Sequence, residues 1–179
     1  MTRYVALLRG INIGGNSSIA MADLREVFIG FGYEDVTTYL RTGNIVFGAP
    51  SGDQDRLVTE IRKGISDGLG KDVGVLLRTA AELDAVLTSN PFLGEQDDLT
   101  KLLVTFLAAD PGADKAGALA SPPGETGSLA LVGREVYVHV PDGYGRTKLS
   151  NAFVEKKLGV AATTRNWRSV LRLREMATA

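Results

Sequence analysis

Arg146, Lys148, Lys156, Lys157, Arg165, Arg168, Arg172 and Arg174 fall between Tyr144 and Ala179, with only Glu155 and Glu175 to oppose them. That segment is +6 and the remainder −7, which gives the net charge of −1. A patch of one sign attracts phosphates and carboxylates whatever fold presents it. Two features sharpen the chemistry. The glycine loop Gly143-Tyr144-Gly145-Arg146-Thr147 leads into a predicted helix over 148–158, with Lys148, Asn151 and Glu155 on one side. A phosphate could rest there on backbone N–H groups at the positive helix end, beside Arg146 and Lys148. Further on, Thr164 is positioned to cap a helix over 165–176. In that helix Arg165, Arg168 and Arg172 form one stripe, while Trp167, Val170 and Leu171 turn to the core. The predicted anion site is therefore Arg146, Lys148, Asn151, Lys156, Arg165, Asn166 and Arg168. Its ligand would be a phosphate-containing small molecule or a nucleic acid. The competing reading is a solvated face whose arginines pair with the acidic remainder of the chain.

A second loop site is predicted near the start of the chain. Arg9, Gly10, Asn12, Gly14, Gly15 and Asn16 follow an apolar run, and Arg41-Thr42-Gly43-Asn44 sits between two short β runs. If both segments leave one end of a sheet, Arg9, Asn12, Gly14, Gly15, Arg41 and Asn44 form a concavity of guanidinium, amide and backbone N–H groups. The glycine spacing matches neither the dinucleotide fingerprint nor the P-loop, which favours the plainer reading that the glycines serve turns and the arginines end strands in solvent.

Other chemistries are excluded more firmly. The chain has no cysteine, which rules out disulfides, thiolate nucleophiles and zinc–thiolate sites. His139 is the single histidine, alternating with Tyr137 against the valines of one strand; Asp97-Asp98 has no companion ligands. No metal and no cofactor is expected. Ser150 has no local base and no nucleophile elbow surrounds it. An enzymatic alternative places a small anionic substrate between two halves of the chain, positioned by Arg9, Asn12, Arg41 and Asn44, with Glu155 or His139 moving the proton. A structural alternative gives the basic end a packing or partner-binding role.

The elements that must position these groups read as follows. Residues 4–9 form a strand, 21–31 an amphipathic helix, 35–40 and 45–48 two strands about a hairpin, 53–69 a helix and 73–78 a strand. This βαββαβ order predicts a ferredoxin-like unit. A helix over 80–87, a strand over 102–107, a helix over 113–120, a hairpin of 128–132 and 135–140, and the two basic helices complete the chain. The fold class is thus α+β: ferredoxin-like subdomains at 1–79 and 80–179, the second closed by C-terminal helices where a last strand would stand. A hydrophobic content of 44 % and a charged content of 23 % are ordinary for a folded domain. The apolar run near the N-terminus is too short for a signal peptide or a membrane span, so a cytoplasmic protein without membrane association is expected. An isoelectric point near 5.9 speaks against a dedicated duplex-DNA binder.

Several strings together are specific. They are Ala6-Leu7-Leu8-Arg9-Gly10-Ile11-Asn12-Ile13-Gly14-Gly15, Met21-Ala22-Asp23-Leu24-Arg25, Thr38-Tyr39-Leu40-Arg41-Thr42-Gly43-Asn44-Ile45-Val46-Phe47, Asn90-Pro91-Phe92, and Thr147-Lys148-Leu149-Ser150-Asn151 through Thr163-Thr164-Arg165-Asn166-Trp167. Across almost the whole chain this resembles the bacterial family catalogued as domain of unknown function 1697. The resemblance implies two ferredoxin-like subdomains and brings no established activity. Family members commonly carry a lysine after the Gly-Gly and a serine before the hairpin Gly-Asn. This chain has Asn16 and Thr42 there, which removes a cation from the first loop.

Overall fold

The computed structural model describes residues 1–13 and 18–179. Two units divide the chain, one of 1–84 with 173–179 and one of 85–172.

In the first unit, β1 (Thr2–Arg9), α1 (Met21–Gly30), β2 (Glu34–Tyr39), β3 (Asn44–Ala49), α2 (Gln54–Leu69) and β4 (Gly74–Thr79) follow in order. The strands make a four-stranded antiparallel sheet in the order β2-β3-β1-β4, the ferredoxin-like arrangement. Period-two alternation decides the faces. Tyr4, Ala6 and Leu8 join Ile45, Phe47, Val75 and Leu77 in one core with Leu24 and Phe28 of α1 and Ile61 and Ile65 of α2. The alternate residues Val5, Leu7, Val46 and Leu76 are buried as well, so the second face of the sheet is also withdrawn from solvent. This accounts for the unbroken apolar runs of β1 and β4. Helix α2 starts where the Asp53 carboxylate accepts the Asp55 N–H and stops at Gly70, whose φ of 64° is the left-handed conformation a helix C-terminus favours.

The second unit repeats the order: β5 (Leu102–Leu107), α4 (Ala113–Gly117), β6 (Ser128–Val132), β7 (Glu135–His139), α5 (Asn151–Leu158) and β8 (Ala162–Asn166). Its sheet runs β6-β7-β5-β8, again antiparallel and again ferredoxin-like. Leu103, Leu107, Val136, Val138 and Val140 pack with Val154 and Leu158 of α5. Helices α3 (Ala80–Thr88) and α6 (Trp167–Thr178) follow the last strands of the two sheets.

Three sequence expectations are corrected here. The second unit does have its fourth strand. Residues 162–166, Ala-Thr-Thr-Arg-Asn, pair with β5 from Leu103↔Asn166 to Leu107↔Ala162, so Arg165 lies on a strand and not on a helix. Only one of those residues is apolar, which hid the strand; the β-branched Thr163 and Thr164 were its signal. The following helix therefore begins two residues later than expected, capped by Asn166, whose side-chain oxygen accepts the Ser169 N–H at 2.9 Å. With the register moved, Trp167, Val170 and Leu173 face inward and Leu171 is exposed. In the first unit's hairpin Asn44 belongs to β3 and not to the connection between the strands, and the positive φ angles fall on Leu40 and Gly43.

Candidate functional site

The basic C-terminal segment does not form one surface. Arg165 is 7 % exposed. It donates to the Thr163 hydroxyl at 2.7 Å and to the Thr164 carbonyl at 3.0 Å, and burial lowers its pKa to about 10. Arg174 is taken by an ion pair, its Nε 2.6 Å from an Asp84 carboxylate oxygen. Lys157 lies over the Phe153 ring, 5.8 Å from its centroid. Arg168 is exposed on α6, and its charge helps hold the Asp98 carboxyl below the ordinary range, after the larger effect of hydrogen bonds from Thr100. Lys156 is exposed on α5.

Arg146 and Lys148 do come together. They line a cavity of about 220 Å³ in the second unit with Gly124, Glu125, Thr126 and Asp142. The chain reaches this cleft through Gly143, at φ 90°, and a single 3-10 turn at Tyr144–Arg146. Both carboxylates of the cleft are engaged by neighbours. Glu125 accepts the backbone N–H of Lys148 at 2.7 Å and of Gly127 at 2.7 Å, bonds that hold its carboxyl below the ordinary range. Asp142 accepts the Thr126 hydroxyl at 2.6 Å. Lys148 Nζ reaches the Pro123 carbonyl at 3.4 Å. The Arg146 guanidinium is exposed and donates no hydrogen bond among the described residues.

The helix start expected to cradle a phosphate is already occupied. Helix α5 begins at Asn151, three residues later than predicted; Ser150 caps it by accepting the Phe153 N–H, and the Tyr144 hydroxyl accepts the Asn151 N–H at 2.8 Å. The Asn151 side chain is spent on a polar network. Its amide donates to the Ala162 carbonyl at 3.0 Å, and its oxygen accepts the Thr164 hydroxyl at 2.9 Å, which in turn lies 2.8 Å from the Thr105 hydroxyl. Glu155 belongs to the same network, accepting the Ala162 N–H at 2.9 Å. Asn166 is the cap of α6. These side chains fix β8 to α5.

At the first-unit loop site the two loops do share one end of the sheet. Asn12, at φ 54°, donates to the Arg41 carbonyl at 2.6 Å and to the Ile19 carbonyl at 3.0 Å, and accepts the Ile19 N–H at 2.9 Å. Asn44 is fully buried, donating to the Tyr39 carbonyl at 2.7 Å and the Thr42 hydroxyl at 3.0 Å. Both amides bind backbone and tie the loops together. Arg9 and Arg41 are exposed there, while Gly14 and Gly15 lie outside the described residues.

His139 sits on β7 with Nδ1 3.4 Å from a Glu95 carboxylate oxygen and Nε2 3.4 Å from the Gln96 side-chain oxygen, which fastens the 92–97 segment to the strand. No group of three or more His, Asp or Glu side chains suited to a metal ion occurs among the described residues. No helix among them is long and apolar enough to cross a membrane. Among the described residues the largest fully buried side chain is that of Arg78, 1 % exposed, which no sequence motif singles out. Its only sequence signal was an arginine ending a buried apolar run.

No curated protein matches the sequence. Among solved structures, the conserved bacterial protein SP0830 from Streptococcus pneumoniae is similar at 22 % identity and a TM-score of 0.75, over 100 % of this chain and 99 % of that one. At that identity the likeness is one of fold. The sequence pattern of protein of unknown function DUF1697 matches residues 1–137, more than half of the chain, and the chain belongs to that family.

Proposed function

We propose that the protein binds a small phosphate-containing ligand in the cleft of its second unit, with Arg146 and Lys148 as the cations that receive it. The observation that carries this reading is the state of the Arg146 guanidinium: it lines the cleft and is exposed, while both carboxylates beside it, Glu125 and Asp142, are bonded to other donors. A planar guanidinium with unused N–H groups matches two phosphate oxygens at once. The Thr126 and Thr147 hydroxyls in the same lining already donate to Asp142 and Glu125, so the two cations carry the contacts to the ligand. A cavity of about 220 Å³ suits a pyrophosphate-sized group better than a nucleic-acid strand. The Tyr144 ring packs against the core of the second unit, which favours a small ligand over stacked bases.

Titration of the isotope-labelled protein with pyrophosphate tests the reading. Saturable amide shifts at Thr126, Gly143 and Lys148 are expected, with affinity falling as salt rises and by roughly tenfold in Arg146→Ala. Absence of saturable shifts at millimolar pyrophosphate, or an unchanged affinity in Arg146→Ala, overturns it.

A further inference from the structure

A second cavity, of about 350 Å³, lies in the first unit between the end of α1, the segment Pro50–Gly52 and the first two turns of α2. That size is at the lower end of small-molecule sites, roughly 300–1,000 Å³. Its floor is aromatic. Phe31 and Tyr33 lie with ring centroids 5.4 Å apart and planes at 37°, and Pro50 and Leu57 complete the apolar lining. Gly64 makes this floor possible: a Cβ there would stand 2.2 Å from Cζ of Phe31, so the ring rests on the backbone of α2 where any side chain would displace it. Tyr33 is held by its own bond, the hydroxyl donating to Glu60 at 3.1 Å.

The polar groups at the rim are unequal. The Glu60 carboxylate accepts from Tyr33, and the Asp53 carboxylate accepts the Asp55 N–H at 2.9 Å as the cap of α2. Arg56, four residues before Glu60 on the same helix face, forms no ion pair and donates no hydrogen bond among the described residues. An apolar, aromatic-lined floor beside one uncommitted guanidinium is complementary to an aryl carboxylate: the ring on Phe31, Pro50 and Leu57, the carboxylate bidentate on Arg56. We infer that this pocket binds a small organic acid with a planar apolar body. It is independent of the phosphate cleft in residues and in unit.

The test uses the full-length labelled protein and three isosteric probes, benzoate, benzamide and benzylamine. Benzoate is expected to give saturable shifts at the amides of Phe31, Gly52 and Arg56, and to bind more tightly than benzamide or benzylamine. Arg56→Gln should weaken benzoate roughly tenfold, the loss of one charge-assisted pair, without changing the melting temperature, since Arg56 is exposed and unbonded. Arg62→Gln, an exposed arginine on the same helix paired with Asp72, serves as the control and should leave benzoate binding unchanged. The inference fails if benzoate shifts none of these amides, if Arg56→Gln binds it as well as the parent does, or if Arg62→Gln weakens it equally. Tighter binding of benzylamine than benzoate also overturns it, because Asp53 and Glu60 would then be the recognising groups.

Discussion

Arg78 and Arg165 occupy the same station in the two sheets. Each is the penultimate residue of its sheet's fourth strand, each faces a valine of the first strand, Val5 in one unit and Val104 in the other, and each is nearly sealed from solvent. Each also donates to the carbonyl of the residue before it, at 2.8 Å from Arg78 to Leu77 and 3.0 Å from Arg165 to Thr164. A helix cap follows both. Thr79 and Glu82 form a reciprocal capping box for α3, and Asn166 caps α6. The repetition of strand, arginine, cap and helix is a relationship of position that the two amino-acid strings, Val-Leu-Leu-Arg-Thr and Ala-Thr-Thr-Arg-Asn, barely share.

A buried guanidinium bonded to backbone oxygen is part of the fold, and removing it leaves acceptors without donors. Arg78→Ala and Arg165→Ala should each lower unfolding free energy by about 1.5–3 kcal/mol, the range for hydrogen bonds from charged donors. Urea denaturation measures this. Pyrophosphate binding at the second-unit cleft should stay unchanged in Arg165→Ala, because its donors point at Thr163 and Thr164.

The first unit was legible because its strands carry long apolar runs and its helix α2 keeps Leu57, Ile61 and Ile65 four apart between an Asp cap and a Gly stop. The second unit was legible as far as α5. Its last strand was lost because a strand of Thr, Arg and Asn has no apolar alternation to read, and because a basic helix follows it without a turn. That one error moved Arg165 from a buried strand to an exposed stripe. The cleft was half legible: the Gly143–Lys148 loop pointed to Arg146 and Lys148, but no local pattern reveals that Glu125, more than twenty residues earlier, occupies the Lys148 N–H. The first-unit pocket was invisible, since Phe31, Arg56 and Gly64 meet only through tertiary packing.

Gly43 separates two effects that a glycine substitution combines. Its φ is 85°, and a Cβ there would fall 2.6 Å from Cδ1 of Ile11 and 2.8 Å from Cβ of Leu8. Gly70 has φ 64° with open space around it. Gly70→Ala should cost about 1–2 kcal/mol from backbone strain alone. Gly43→Ala should cost about 2–4 kcal/mol, strain plus overpacking in a full core. Equal losses in denaturation would show that the contact between the hairpin and the first loop is looser than these distances.

Asn151 ties α5 to β8 by two side-chain bonds, to the Ala162 carbonyl and the Thr164 hydroxyl, and makes a third within α5 to Glu155. Asn151→Ala should reduce stability by about 2–3 kcal/mol and speed amide exchange across β8, while Lys156→Ala, an exposed neighbour, should do neither. A destabilisation that vanished on adding pyrophosphate would instead place Asn151 in the ligand site.

Glu125 makes the cleft sensitive to acid in one direction. Its carboxylate accepts two backbone N–H groups, so the folded chain holds its pKa below the ordinary value of 4.5. A group depressed in the folded state contributes stability that is complete above its unfolded value and is lost as pH falls through the folded one. The Gly127 and Lys148 amide resonances should therefore be constant above pH 4.5 and move together only as acid is added below it. Glu125→Gln retains an acceptor oxygen without the charge. In that variant the acid-dependent movement of both resonances should disappear, and only one of the two backbone N–H groups can keep its acceptor. If the two amides titrated at different pH values, they would be answering to separate groups, and the bridge from Glu125 across the cleft would not exist in solution.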